Sequence, residues 1–129
     1  MKNFNDLADY SALEIEDLIS LARRLDEKPE PKALEGKVLS LLFLNPSLRT
    51  LSSFQAAMVR LGGGTFVISP EMSIHGLESR SGIFMDGAAA EHIYEAIPVI
   101  ASYGNAIGIR AAAKVENLQS ELLDKDFNE

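Results

Sequence analysis

Residues 38–44 read Val38-Leu39-Ser40-Leu41-Leu42-Phe43-Leu44, an apolar run broken only by Ser40, with Glu35-Gly36-Lys37 before it and Asn45-Pro46 after it. A strand with one wet face alternates apolar and polar residues. This one does not, so both of its faces must be covered, which is the situation of a strand in a parallel sheet between layers of helix. The run is far too short to cross a bilayer. Met1-Lys2-Asn3-Phe4 also lacks the charged and apolar regions of a secretory signal. A cytoplasmic protein without membrane or nucleic-acid partners is expected.

The flanking sequence supplies the helices. Ser11 followed by Glu14 is a capping-box signature, and Leu13, Leu18, Ile19, Leu21 and Leu25 recur at roughly helical spacing, predicting a helix over Ala12–Glu27. Pro29 and Pro31 end it. From Ser47 the period changes, with Leu51, Phe54, Met58 and Leu61 forming one helical stripe and Gly62-Gly63-Gly64 closing it as a cap and turn. Residues 65–69 read as a second strand, 70–76 as a loop, 77–85 as a helical segment and 89–103 as a further helix with Ile93, Ala96, Ile97 and Ile100 on one side. A short strand over 105–109 ends at Arg110, and Val115, Leu118 and Leu122 return to helical spacing in the tail. Strands alternating with helices predict an α/β fold, a parallel sheet flanked by helices on both faces. No closing strand follows, so residues 1–129 are expected to be a single domain incomplete at its C-terminus.

Composition limits the chemistry. With 47% apolar and 24% charged residues, the chain can bury a core. It has no cysteine, hence no disulfide, thiolate nucleophile or thiolate zinc site, and only two histidines. His92 and Glu95, three apart on the predicted helix, are two lone ligands on a solvated face and not a metal site. Nineteen acidic and twelve basic residues give a net charge of -7, so an anionic ligand needs a local concentration of positive potential.

Such a place exists at the carboxyl ends of the strands, where open α/β sheets collect ligands. After Pro46 a helix begins whose opening amides lack intrahelical partners, and the Ser47 and Thr50 hydroxyls add donors. Arg49 offers a fork that matches two phosphate oxygens, and Arg110 leaves the third strand at the same edge. The alternative reading makes Ser47 a simple helix cap and the two arginines solvated surface residues. No Gly-Lys-Ser/Thr follows a glycine-rich turn, and no Gly-x-Gly-x-x-Gly follows a strand, so neither a Walker loop nor a dinucleotide fold is indicated.

Phe43-Leu44-Asn45-Pro46-Ser47-Leu48-Arg49-Thr50-Leu51-Ser52-Ser53-Phe54-Gln55, with Leu61-Gly62-Gly63 behind it, resembles the Ser-x-Arg-Thr-Arg-x-Ser-Phe-Glu signature of the aspartate and ornithine carbamoyltransferase family. Phe84-Met85-Asp86-Gly87, Glu91-His92 and Ile107-Gly108-Ile109-Arg110-Ala111 are most similar to the branch acting on N-acetyl- or N-succinyl-ornithine. The resemblance implies a carbamoyl-phosphate-binding domain whose ligand is held by Ser47, Leu48, Arg49, Thr50 and Arg110, with Arg49 and Arg110 as catalytic groups. A second domain would bind ornithine or an N-acyl-ornithine, whose δ-amine attacks the carbamoyl carbon and expels phosphate in arginine biosynthesis. It further implies a homotrimer, no metal and no organic cofactor, with His75 at the position of a residue that reaches the neighbouring subunit's site.

Four departures accompany it. The second arginine of the signature is Leu51 and its glutamate is Gln55, positions four apart on one helix face, so a charge pair would be lost as a unit and leave no orphan. Ala88-Ala89-Ala90 replaces a more polar stretch, which bears on the choice among acyl-ornithines. The His-Pro-x-Gln and His-Cys-Leu-Pro segments do not occur, and the acceptor domain is expected to be absent. The alternative function is therefore a catalytically inactive, truncated module for anion binding or oligomerisation.

Overall fold

The computed structural model describes residues 3–69, 77–78, 82, 84–85, 87 and 89–111. In chain order its elements are α1 (Ala12–Glu27), β1 (Val38–Phe43), α2 (Leu48–Arg60), β2 (Gly64–Ile68), β3 (Leu77–Glu78), β4 (Glu91–His92), α3 (Ile93–Ser102) and β5 (Ala106–Arg110), with one 3-10 turn, Leu7–Asp9, ahead of α1. The α/β architecture expected from the alternation of strand and helix is the one observed.

β1 is the centre of a three-stranded parallel sheet of order β2-β1-β5. Its last four residues, Ser40 to Phe43, are all buried, as a strand without alternation requires. The Ser40 hydroxyl donates to the Ile100 carbonyl of α3 at 3.2 Å, so one face of β1 lies under that helix. Since β2 and β5 flank β1 on opposite sides, right-handed crossovers carry α2 and α3 to opposite faces of the sheet.

Local chemistry sets the helix ends. In α1 the capping box forms as its sequence predicts, the Ser11 amide donating to Glu14 Oε2 at 2.8 Å and the Glu14 amide to Ser11 Oγ at 3.3 Å. α2 ends on a left-handed glycine. Gly62 takes φ +83, its amide donates to Val59 O, and the Gly63 amide donates to Met58 O at 2.8 Å. A Cβ at Gly62 would collide with the Pro31 carbonyl. Of the expected α2 stripe, Met58 is buried, Leu51 and Leu61 are half-buried and Phe54 remains 45% exposed.

Two expectations are corrected. The helical segment over 77–85 is not formed at its start: Leu77 and Glu78 are β3, paired in parallel with Glu91 and His92 of β4. Two-residue strands exist only through a distant partner, and no local period announces them. For the same reason the helix expected over 89–103 begins only at Ile93. His92 is its N-cap, with Nδ1 accepting from the Tyr94 amide at 3.2 Å, and so is not on a helix face beside Glu95. Ala96 and Ile100 are buried from α3 as its spacing predicts. The loop over 70–76, with His75, and the tail over 112–129 lie outside the described residues.

Candidate anion site at the carboxyl edge of the sheet

The strand order reverses at β1, whose neighbours are reached by connections running in opposite directions. In open α/β sheets this switch point leaves a crevice beyond the carboxyl ends of the strands. From β1 the chain passes through Asn45-Pro46 into α2, so the first turn of that helix is delivered to the crevice. Register brings β5 to the same place: Phe43 pairs with Arg110, and the Leu44 amide donates to the Arg110 carbonyl at 2.9 Å. Ser47 and Arg110, more than sixty residues apart in sequence, therefore lie at the same edge of the sheet.

Ser47 occupies the N-cap of α2 but does not cap it: no side-chain hydrogen bond runs from it to the helix backbone. Its hydroxyl instead donates to Thr50 Oγ1 at 2.9 Å. The first intrahelical bond runs from the Leu51 amide to the Ser47 carbonyl at 3.0 Å. By helix geometry the amides of Leu48, Arg49 and Thr50 have no upstream carbonyl within the helix, and the side chain that ordinarily takes one of them is engaged elsewhere. The reading of Ser47 as a simple cap is thus corrected in its chemistry though right in its position. These amides carry the positive end of the helix dipole.

Around this turn Arg49 and Leu48 are exposed, Leu48 at 83%, whereas Ser47, Thr50 and Arg110 are half-buried. Arg110 Nε is buried and without a hydrogen-bond partner, a condition that costs free energy unless a ligand or water relieves it. That orphaned donor was not legible in the sequence, since it depends on the packing of β5 against β1. Leu51 is half-buried and Gln55 exposed one turn further along α2, where neither brings a charge to the crevice. Uncapped amides, two hydroxyls and two arginines at one edge of the sheet are the donor types that a small multiply charged anion needs. Elsewhere among the described residues no group of three or more metal-ligating side chains occurs, and no helix is long and apolar enough to cross a membrane.

The profile of the aspartate/ornithine carbamoyltransferase carbamoyl-phosphate-binding domain matches residues 2–124. The chain belongs to this family. Among curated carbamoyltransferases it is 35% identical to the N-acetylornithine carbamoyltransferase of Xylella fastidiosa over 114 residues, covering 88% of this chain and 34% of that protein. It is 34% identical to the N-succinylornithine carbamoyltransferase of Bacteroides fragilis over all 129 residues, which is 39% of that protein. A solved N-acetyl-L-ornithine transcarbamylase variant complexed with carbamyl phosphate and N-succinyl-L-norvaline superposes with a TM-score of 0.83 at 32% identity, over 98% of this chain and 38% of the other. The chain spans a little over a third of the length of the relatives it matches.

Proposed function

We propose that this chain binds carbamoyl phosphate at the β1–α2 turn and, with an acceptor-binding domain, transfers the carbamoyl group to the δ-amine of an N-acyl-ornithine. The observation that carries the reading is the pairing of an uncapped helix start with an orphaned arginine donor across two adjacent parallel strands. The amides of Leu48, Arg49 and Thr50, with the Ser47 and Thr50 hydroxyls, hold the phosphate. Arg49 and Arg110 meet its oxygens, Arg110 also reaching toward the carbamoyl oxygen.

The δ-amine donates its lone pair to the carbamoyl carbon, the carbon–oxygen bond to phosphate breaks, and the amine loses a proton as phosphate departs. Negative charge grows on the phosphate and carbonyl oxygens during this step. Donors already fixed in place act more strongly on that state than on the ground state. Holding both substrates in line supplies a further part of the acceleration. Similarity to acyl-ornithine enzymes supports the acceptor class, and the family resemblance supports arginine biosynthesis in the cytoplasm by a homotrimer, with His75 contributing across the subunit boundary.

Carbamoyl phosphate should raise the thermal midpoint of the wild-type chain, because a ligand of the folded state alone must stabilise it. Arg49→Ala should weaken binding about 10- to 100-fold, the loss of one charge-assisted pair. Equal protection of both proteins would reject the site. Carbamoyl transfer to N-acetyl- or N-succinyl-ornithine is then measured with this chain alone and with an added acceptor-binding domain. Because the chain spans about a third of its relatives, a second reading is a module that binds the anion or assembles without chemistry. Ligand protection with no transfer in either mixture would favour it.

A further inference from the structure

His92 belongs to two elements at once. It is the last residue of β4, paired in parallel with Glu78 of β3, and the N-cap of α3. Its Nδ1 accepts from the Tyr94 amide at 3.2 Å, and the two rings lie 4.8 Å apart at 35°. An amide can only donate, so Nδ1 carries no proton in this arrangement and the ring is the neutral form protonated at Nε2. Serine, threonine and asparagine cap helices through an oxygen that remains an acceptor throughout the neutral range. A histidine cap differs, because taking up a proton turns its acceptor into a donor.

We propose that His92 is a proton-operated clasp at the junction of the β3–β4 pair with α3, closed while its ring is neutral and opened by mild acid. A protonated Nδ1 would point a donor at the amide it now accepts from. Its positive charge would also sit at the positive end of the helix dipole, so both effects act against the first turn. β4 packs against β3 and α3, whose ionisable groups are Glu78, Tyr94 and Glu95, with Glu91 beside His92 on β4 itself. Among these side chains imidazole is the one whose ordinary titration lies between pH 5 and 8. The hydrogen bond is open to solvent, which gives the proton its route. The rest of α3 is held by other means: Ala96 and Ile100 are buried, and the Ile100 carbonyl accepts from Ser40 of β1. Opening is therefore confined to residues 92–95 and leaves the sheet in place.

Between pH 8 and 5, hydrogen exchange of the Tyr94 amide, corrected for its intrinsic pH dependence, should accelerate about 5-fold in the wild-type chain, the size of one lost cap. The Leu42 amide in β1 should keep its protection over the same range. His92→Ser, a cap that does not titrate, should hold Tyr94 protected throughout, and His92→Ala should leave it unprotected at both ends. Nitrogen NMR of the His92 ring at pH 8 should show the form protonated at Nε2. A proton on Nδ1 at pH 8, equal protection of wild-type Tyr94 at the two extremes, the same loss in His92→Ser, or a loss that extends to Leu42 would each overturn the proposal.

Discussion

The middle of the sheet and the first helix are built on opposite principles. Leu41 and Leu42 in β1 are 1% and 0% exposed, and the elements bonded to that strand come from distant sequence: α3 through Ser40, β2 and β5 through the ladders. α1 buries nothing, yet its start is fixed by two residues three apart. A strand has no internal hydrogen bonds and exists only through its neighbours, whereas a helix with a good cap satisfies most of its own backbone. The site draws on both, taking its orphaned arginine from the packed sheet and its uncapped amides from a helix start.

Substitutions should separate the two regions. Leu42→Ala opens a cavity in the most enclosed part of the core and should cost about 3 kcal/mol in denaturant unfolding. A change below 1 kcal/mol would mean that β1 is not the stabilising centre. Gly104→Ala comes next. A Cβ there would lie 2.5 Å from Ser40 Oγ and 3.0 Å from the Val38 carbonyl, so overpacking of about 2 kcal/mol is expected by the same measurement. Ser11→Ala should remove about 1 kcal/mol from the first turn of α1 alone. Hydrogen exchange would register it as faster exchange of the amides at 14–16, with the global midpoint nearly unmoved. Arg110→Met deletes the buried donor that lacks a partner and should leave the unliganded fold equally stable or up to ~1 kcal/mol more so, while carbamoyl phosphate no longer protects it.

The same division explains what the sequence made legible. The Ser11–Glu14 box, the glycine cap after α2 and the doubly covered strand are local patterns, and each formed within a residue or so of where it was expected. β3 and β4 went unread because each is two residues held by the other. The start of α3 was missed because a histidine does the capping that serine, threonine or aspartate usually does. At the site, the spacing of Ser47, Arg49 and Thr50 was visible as a helix entry. The placement of Arg110 at the same edge followed from the logic of parallel sheets, whereas its register opposite Phe43 and its unsatisfied Nε emerge only from the packed fold.

The register of the outer strand sets a schedule for biogenesis. Val38 waits for Asn105, 67 residues downstream, whose side chain and amide both bond to it. At cellular synthesis rates that interval is about 3 to 13 s, during which a greasy heptapeptide has left the ribosome with one flank unmatched. Since Arg110 lies beyond Asn105, the proposed anion site closes only after this pairing, and retention on an immobilised phosphate analogue should follow the completion of β5.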